Sequence, residues 1–210
     1  MTDRQVFSPL RLSASGLSCG RGGIALSTDI GFELANGQAL LLRGPNGTGK
    51  TTLLLTLAGV IAPLAGSFAA EGADPDTRWL HYCGHRNAIK ARLTVIEDLS
   101  FWAEINGPTG MAPREALAEV GLGTLDGLDA GFLSAGQSRR LALARLLVSL
   151  RPVWLLDEPT AALDTEGHAL VTRLLDRHLG MGGLAIAATH DPITLSDPTR
   201  LGVLQLERAP

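Results

Sequence analysis

Lys50 is one of two lysines in a chain that carries sixteen arginines, and its surroundings explain why the compact cation stands there. The run GPNGTGKT, Gly44 to Thr51, fits the phosphate-loop pattern of nucleoside-triphosphate sites. Its residues Gly44, Pro45, Asn46, Gly47, Thr48 and Gly49 supply a turn whose backbone N–H groups point inward and leave room for phosphate oxygens. A helix starting after Gly49 adds its positive N-terminal end, with Lys50, Thr51 and Thr52 in the first turn. Lys50 reaches the β- and γ-phosphates as a point charge, where a planar guanidinium would fill the space meant for the phosphate. The Thr51 hydroxyl is of the right hardness for Mg²⁺. The chemistry this run predicts is polyphosphate binding, with ATP and Mg²⁺ as the ligands.

Two further runs supply groups that act on a phosphate. VWLLDEP, Val153 to Pro159, is an apolar stretch ending in two adjacent carboxylates, a costly arrangement unless cations or a reacting water face them. Asp157 is the expected Mg²⁺ ligand, and Glu158 the expected general base toward a water that attacks the γ-phosphorus. LAIAATHDP, Leu184 to Pro192, brings His190 to the end of another apolar stretch, where it can donate a hydrogen bond to the γ-phosphate.

These groups need strands to carry them. The order strand (Ala39 to Arg43), glycine loop, helix is followed by strand candidates at Trp79 to Cys83, Val153 to Leu156 and Leu184 to Ala188, with helices between them. That alternation predicts an α/β core with a largely parallel sheet. Before it, Leu10 to Leu42 reads as short apolar stretches punctuated by glycine, hence hairpins and an N-terminal antiparallel β subdomain. Between Ile89 and Leu150 the pattern is almost wholly helical, which predicts a helical subdomain (89–150) inserted in a single domain (1–210). Thr94 and Glu97 form a capping box, Val95, Leu99 and Trp102 share a helix face, and Asn106-Gly107 stops the helix. A second helix runs from Pro113 to about Val120, and a third opens on a second capping box, Ser134 with Gln137, and ends by Pro152. Arg139, Arg140 and Arg145 on this helix read as a solvated face or a dimer rim rather than a phosphate site. Phe101 and Trp102 read as core packing, with the floor of a docking groove as the rival role.

Composition narrows the classes. Hydrophobic content of 45% against 19% charged residues gives a globular chain, and 4% aromatics give an aliphatic core. A net charge of −3 and a pI near 5.9 offer no broad basic field, so no nucleic-acid partner is expected. The longest apolar run, Leu53 to Ala65, is broken by Thr56, Gly59 and Pro63, and no leader is apparent, which predicts a cytoplasmic protein. Cys19 and Cys83 match no metal-ligand spacing and read as packing residues.

LSAGQ at Leu133 to Gln137, upstream of LLDEP and followed by ALD at Ala162 to Asp164 and by His190, resembles the ATPase subunits of ABC transporters. The resemblance covers nearly the whole chain. It implies a P-loop ATPase fold and a homodimer packed head to tail. Ser134, Gly136 and Gln137 of one subunit would then meet the nucleotide held by the loop of the other, with Asp164 across the interface. His85 stands where the family usually has a glutamine after the strand that leads to the helical subdomain, and a histidine there can hydrogen-bond a water or couple the site to a partner. Three positions depart from the family pattern: His85 itself, Ala135 in place of a glycine, and LSCGRGG, which lacks the aromatic that stacks on adenine. The GH of Gly84-His85, the LTVIEDLSFWA helix and LSAGQSRRLALARLL are similar to the haem-exporter ATPases of bacterial cytochrome c maturation. That similarity implies a CcmB-like membrane permease and other cytochrome c maturation membrane proteins as partners, and a peripheral place on the cytoplasmic side of the inner membrane. The alternatives are an exporter of drug, lipid or polysaccharide, or a soluble non-transport ABC ATPase.

Overall fold

The apolar runs around the glycine loop become the strands of a parallel sheet, and the residues between them segregate into a separate helical unit. A computed structural model describes residues 6–74 and 76–209. The described chain divides into two compact units, one drawn from Met1–Gly84, Pro152–Glu158 and Thr172–Pro210, the other from His85–Arg151 and Pro159–Val171.

The first unit holds two sheets. Strands β1 (Arg11–Arg21) and β2 (Ile24–Ala35) form an antiparallel hairpin about Gly22 and Gly23, and β4 (Ala65–Glu71) pairs antiparallel on the other side of β1. The larger sheet is built from β3 (Ala39–Arg43), β5 (Leu80–Cys83), β6 (Val153–Asp157), β7 (Leu184–Ala188) and β8 (Leu201–Gln205) in the order β5-β6-β7-β3-β8, every pair parallel. Both β6 and β7 are buried at every position, which is why they read as unbroken apolar runs rather than alternating ones. Helix α1 (Lys50–Leu57) buries Leu53, Leu54 and Leu57 in a core with Leu12, Leu17, Leu42, Leu155 and Ile186. Cys19 and Cys83 are buried and unpaired with each other, and burial pushes the Cys19 thiol up from its ordinary value.

Parallel strands place all their C-terminal ends on one edge of the sheet. Because β7 lies between β6 and β3, the loops after these three strands are neighbours, although they are far apart in sequence. Those loops carry Glu158, His190 and Gly44 to Gly49.

In the second unit, α2 (Val95–Asn106) is capped by Thr94 and Glu97 in a reciprocal capping box and stops at Gly107, whose φ is +88°. Helix α3 (Pro113–Glu119) starts on its proline, and α4 (Ala135–Val148) starts from the Ser134–Gln137 capping box. The near-continuous helicity expected between Ile89 and Leu150 is not what forms. Residues 120–134 are turns with two short 3-10 segments, Gly123–Leu125 and Ala130–Phe132, where Gly121, Gly123, Gly127 and Gly131 remove helix propensity. Helix α5 (Thr165–Gly180) begins in this unit and ends in the first.

The expectation of a solvated arginine face on α4 is corrected by the structure. Arg139 is 2% exposed, and the side chains of Arg140 and Arg145 keep 14% and 13% of their exposure. Arg145 donates to both the Asn87 carbonyl (2.6 Å) and the fully buried Asp98 carboxylate (3.0 Å), while Asp98 also accepts from the Lys90 N–H at 2.9 Å. Helical periodicity alone treats arginine as polar, but its terminal nitrogens meet fixed carbonyl and carboxylate acceptors here, so burial is tolerated. Phe101 and Trp102 pack edge to face, with Lys90 over both rings and Arg145 over Trp102 at 4.5 Å.

Candidate functional site

Backbone geometry at the glycine loop comes first, because side chains there depend on it. Gly44 has φ +145°, and a Cβ at that position would stand 2.4 Å from the Leu206 carbonyl oxygen. Gly49, at φ +89°, is the N-cap of α1, and a Cβ there would come within 2.9 Å of Leu26 Cβ. Both contacts leave no room for a side chain, so these glycines are required by space as well as by φ. The loop is tied internally by the Thr48 hydroxyl donating to Pro45 O at 3.0 Å, and from outside by the Ser27 hydroxyl donating to Thr48 O. The first N–H groups of α1, at Lys50, Thr51 and Thr52, have no intrahelical acceptor by construction. The loop is therefore a fixed cradle with N–H donors and a helix end.

Lys50, 8% exposed, donates to Gly44 O at 2.7 Å and Pro45 O at 3.1 Å, and lies 3.3 Å from His190 Nε2. The same ring nitrogen is 2.9 Å from Asn46 Oδ1 and 3.6 Å from Glu158 Oε1. Lys50 calls for a lone pair on Nε2, whereas the Asn46 and Glu158 oxygens call for a proton, so one tautomer satisfies only one side. The contacts compete.

The Thr51 hydroxyl donates to the buried Asp157 carboxylate at 3.0 and 3.2 Å, one oxygen each. A hydroxyl and a carboxylate side by side are hard oxygen donors of the kind Mg²⁺ takes when the remaining ligands are phosphate and water. Glu158 has φ +50°, a region costly for a residue with a side chain. Its N–H donates to Ala188 O at 2.7 Å, and its Oε2 accepts from the His190 N–H at 3.4 Å. The strand ends of β6 and β7 are thereby laced together just where both side chains emerge.

Arg43, at the end of β3, was not singled out by residue type, yet it holds this loop. Its guanidinium donates to Thr189 O and Asp191 O, both at 2.7 Å, gripping the carbonyls on either side of His190. A terminal strand arginine gives no local signal for this, because its acceptors are 146 and 148 residues away.

The structure thus brings Asn46, Lys50, Thr51, Asp157, Glu158 and His190 together in the first unit. Beyond the glycine loop, the remaining sequence-predicted site residues, His85, Ser134, Gly136, Gln137 and Asp164, belong to the second. His85 is exposed. Ser134 accepts from Gln137 N–H at 3.2 Å and Gln137 accepts from Ser134 N–H at 2.9 Å, closing the capping box at the N-terminus of α4. A Cβ at Gly136 would lie 2.8 Å from Ala162 O. Asp164 accepts from Gly167 N–H at 2.8 Å and from Arg140 at 3.2 Å, which together hold its carboxyl below the usual range, the backbone donor being the larger cause.

Residues 27–161, which span the glycine loop, the signature helix and the acidic strand end, match the family model described as "ABC transporter". The chain belongs to the ABC transporter family. Within the family it is similar to "Cytochrome c biogenesis ATP-binding export protein CcmA" of Rhodopseudomonas palustris strain HaA2, with 48% identity over 190 residues, 89% of this chain and 95% of the relative. The protein of the same description from Agrobacterium fabrum is 49% identical over 199 residues, covering 90% of this chain and 93% of its own. Among solved structures, "Putative ABC transporter (ATP-binding protein)" from Pyrococcus furiosus superposes with a TM-score of 0.80 over 93% of this chain and 97% of its own, at 24% identity. That last likeness shows the ABC ATPase fold, a parallel sheet with a separate antiparallel one. Among the described residues, no helix is long and apolar enough to cross a membrane.

Proposed function

We propose that this chain is the ATP-hydrolysing subunit of an ABC transporter complex that serves cytochrome c maturation, formally a haem exporter. The observation that carries the hydrolytic part is the meeting, at the strand ends of one unit, of two contacting sets, Thr51 with Asp157 and Lys50 and Glu158 with His190. The relatives described as CcmA support the choice of cargo system, since they match along nearly their whole length.

The loop Gly44–Thr52 cradles the β- and γ-phosphates with its N–H groups, and Lys50 leaves the Gly44 and Pro45 carbonyls to bridge them. An arriving phosphate also resolves the competition at His190. Lys50 turns to the phosphate oxygens, and Nε2, carrying its proton, donates to the γ-phosphate. Thr51 and Asp157 would hold Mg²⁺, which would neutralise charge on the phosphate oxygens. Glu158, fixed by Ala188 and His190, takes a proton from the attacking water. A second copy of the chain, packed head to tail, presents Ser134, Gly136 and Gln137 at the N-terminus of its α4 to the same phosphate. His85 faces the water or carries the state of the site to a membrane partner of the CcmB kind. The protein then works at the cytoplasmic face of the inner membrane through that partner.

The test is steady-state hydrolysis of MgATP by the purified chain with its co-purifying membrane partner. Lys50→Ala should lower turnover by about a hundredfold or more, as expected for loss of a phosphate-bridging charge. Turnover equal to wild type would refute the role given to Lys50.

A further inference from the structure

Arg139 stands five residues beyond Ser134 on α4, and it is the least exposed of the three arginines on that helix. A guanidinium is buried only where acceptors meet its rigid fork, so the identity of those acceptors tells what it is for. Nε donates to Pro159 O at 3.3 Å, and Nη1 donates to Asn87 Oδ1 at 3.0 Å. Pro159 directly follows Glu158, and Asn87 is two residues beyond His85. The neighbouring arginines differ. Arg140 turns to Val120 O and Asp164, and Arg145 to the backbone at Asn87 and Ala88 and to Asp98.

Contact with Pro159 matters because of the conformation next to it. Glu158 sits at φ +50°, and a non-glycine residue stays there only if its flanking groups are over-determined. On the N-terminal side its own N–H is held by Ala188 O. On the C-terminal side the Pro159 ring fixes its own φ, and the Pro159 carbonyl, one peptide beyond the Glu158–Pro159 link, is held by Arg139. The carboxylate's direction depends on how the chain enters and leaves Glu158, and Arg139 anchors the leaving segment one residue on.

We propose that Arg139 is a positioning residue for hydrolysis, tying α4 to the Pro159 carbonyl, one residue after Glu158, and to Asn87 in the loop that bears His85. It acts through those residues and touches neither phosphate nor water. The inference rests on the ATPase reading above and adds a residue to it.

The full chain with its membrane partner is compared as wild type, Arg139→Gln, Arg139→Lys, Asn87→Ala and the Arg139→Gln/Asn87→Ala double variant. Turnover, KM and equilibrium MgATP affinity are each expressed per folded site, counted from bound nucleotide. Arg139→Gln should lose about tenfold or more in kcat, since small misplacements of a reacting group are that costly, while MgATP affinity and KM stay at wild-type values. Arg139→Lys keeps the charge without the fork and should remain well below wild type. Asn87→Ala should lose less, and the double variant no more than Arg139→Gln alone. A kcat in Arg139→Gln within twofold of wild type, or KM and affinity shifting by the same factor as kcat, would overturn the proposal. So would independent, multiplicative losses at the two sites. If Arg139→Gln does not fold, Asn87→Asp, which keeps the acceptor, must retain the turnover that Asn87→Ala loses; equal values overturn the proposal as well. A wild type no faster than Lys50→Ala would instead remove the ATPase reading, and this inference with it.

Discussion

His178, near the C-terminal end of α5, should make the fold sensitive to mild acid. The ring is 1% exposed, stacked on Trp154 at 3.9 Å with 9° between planes, and met edge-on by Phe7. Nε2 donates to Leu184 O at 3.1 Å, while the buried Nδ1 finds no hydrogen-bond partner among the described residues. A second proton on Nδ1 would meet no well-placed acceptor among the described residues. Burial pushes the pKa down from 6.5 to about 3, partly offset by the backbone carbonyls at Leu184 and Pro152, and the nearby His81 adds to the depression. The sign follows from linkage. Below pH 6.5 the unfolded chain takes up a proton that the native chain refuses, so the stability from a neutral His178 is complete above pH 6.5 and is lost as pH falls toward 3. At pH 5 the loss relative to pH 7.5 is about 2 kcal/mol, from 1.36 kcal/mol per pKa unit. His178→Phe keeps a ring on Trp154 and removes the titration. Urea unfolding of both proteins at pH 7.5 and pH 5.0 gives a four-point cycle that cancels the other titrating groups. Wild type should lose about 2 kcal/mol more than the variant between the two pH values. Equal losses, or a His178 NMR titration centred near 6.5, would refute the reasoning.

Other outcomes follow from the same contacts. Asp98→Ala strands the buried Arg145 guanidinium and the Lys90 N–H, and should cost about 3 kcal/mol in the unfolding free energy measured by denaturant titration. Glu158→Gln preserves size and φ but cannot take a proton; turnover should fall by about a hundredfold or more while MgATP affinity holds. Gel filtration of that variant with MgATP should then give a long-lived dimer. Elution as monomer alone would count against a site completed by a second copy.

Much of this was legible in the residues themselves because the signals are local. The glycine loop, both serine and threonine capping boxes and the unbroken apolar runs at 39–42 and Leu184–Ala188 each carry their own geometry within a few positions. What could not be read depends on partners distant in sequence. Strand β8 alternates too weakly to stand out and forms because β3 offers it an edge. Arg43 and Arg139 look like solvated cations until carbonyls from other loops arrive. The left-handed backbone at Glu158 has no sequence mark, since non-glycine residues reach it only when the surroundings impose it.

The central claim, that this site drives cytochrome c maturation, is tested most directly in the native host with Lys50→Ala in place of the wild-type chain. Periplasmic and membrane proteins are separated on a gel and stained for covalently bound haem, with the abundance of the variant subunit checked alongside. The account predicts that the c-type cytochrome bands vanish while the variant persists at wild-type level. Bands of undiminished intensity beside a stable Lys50→Ala subunit would contradict it.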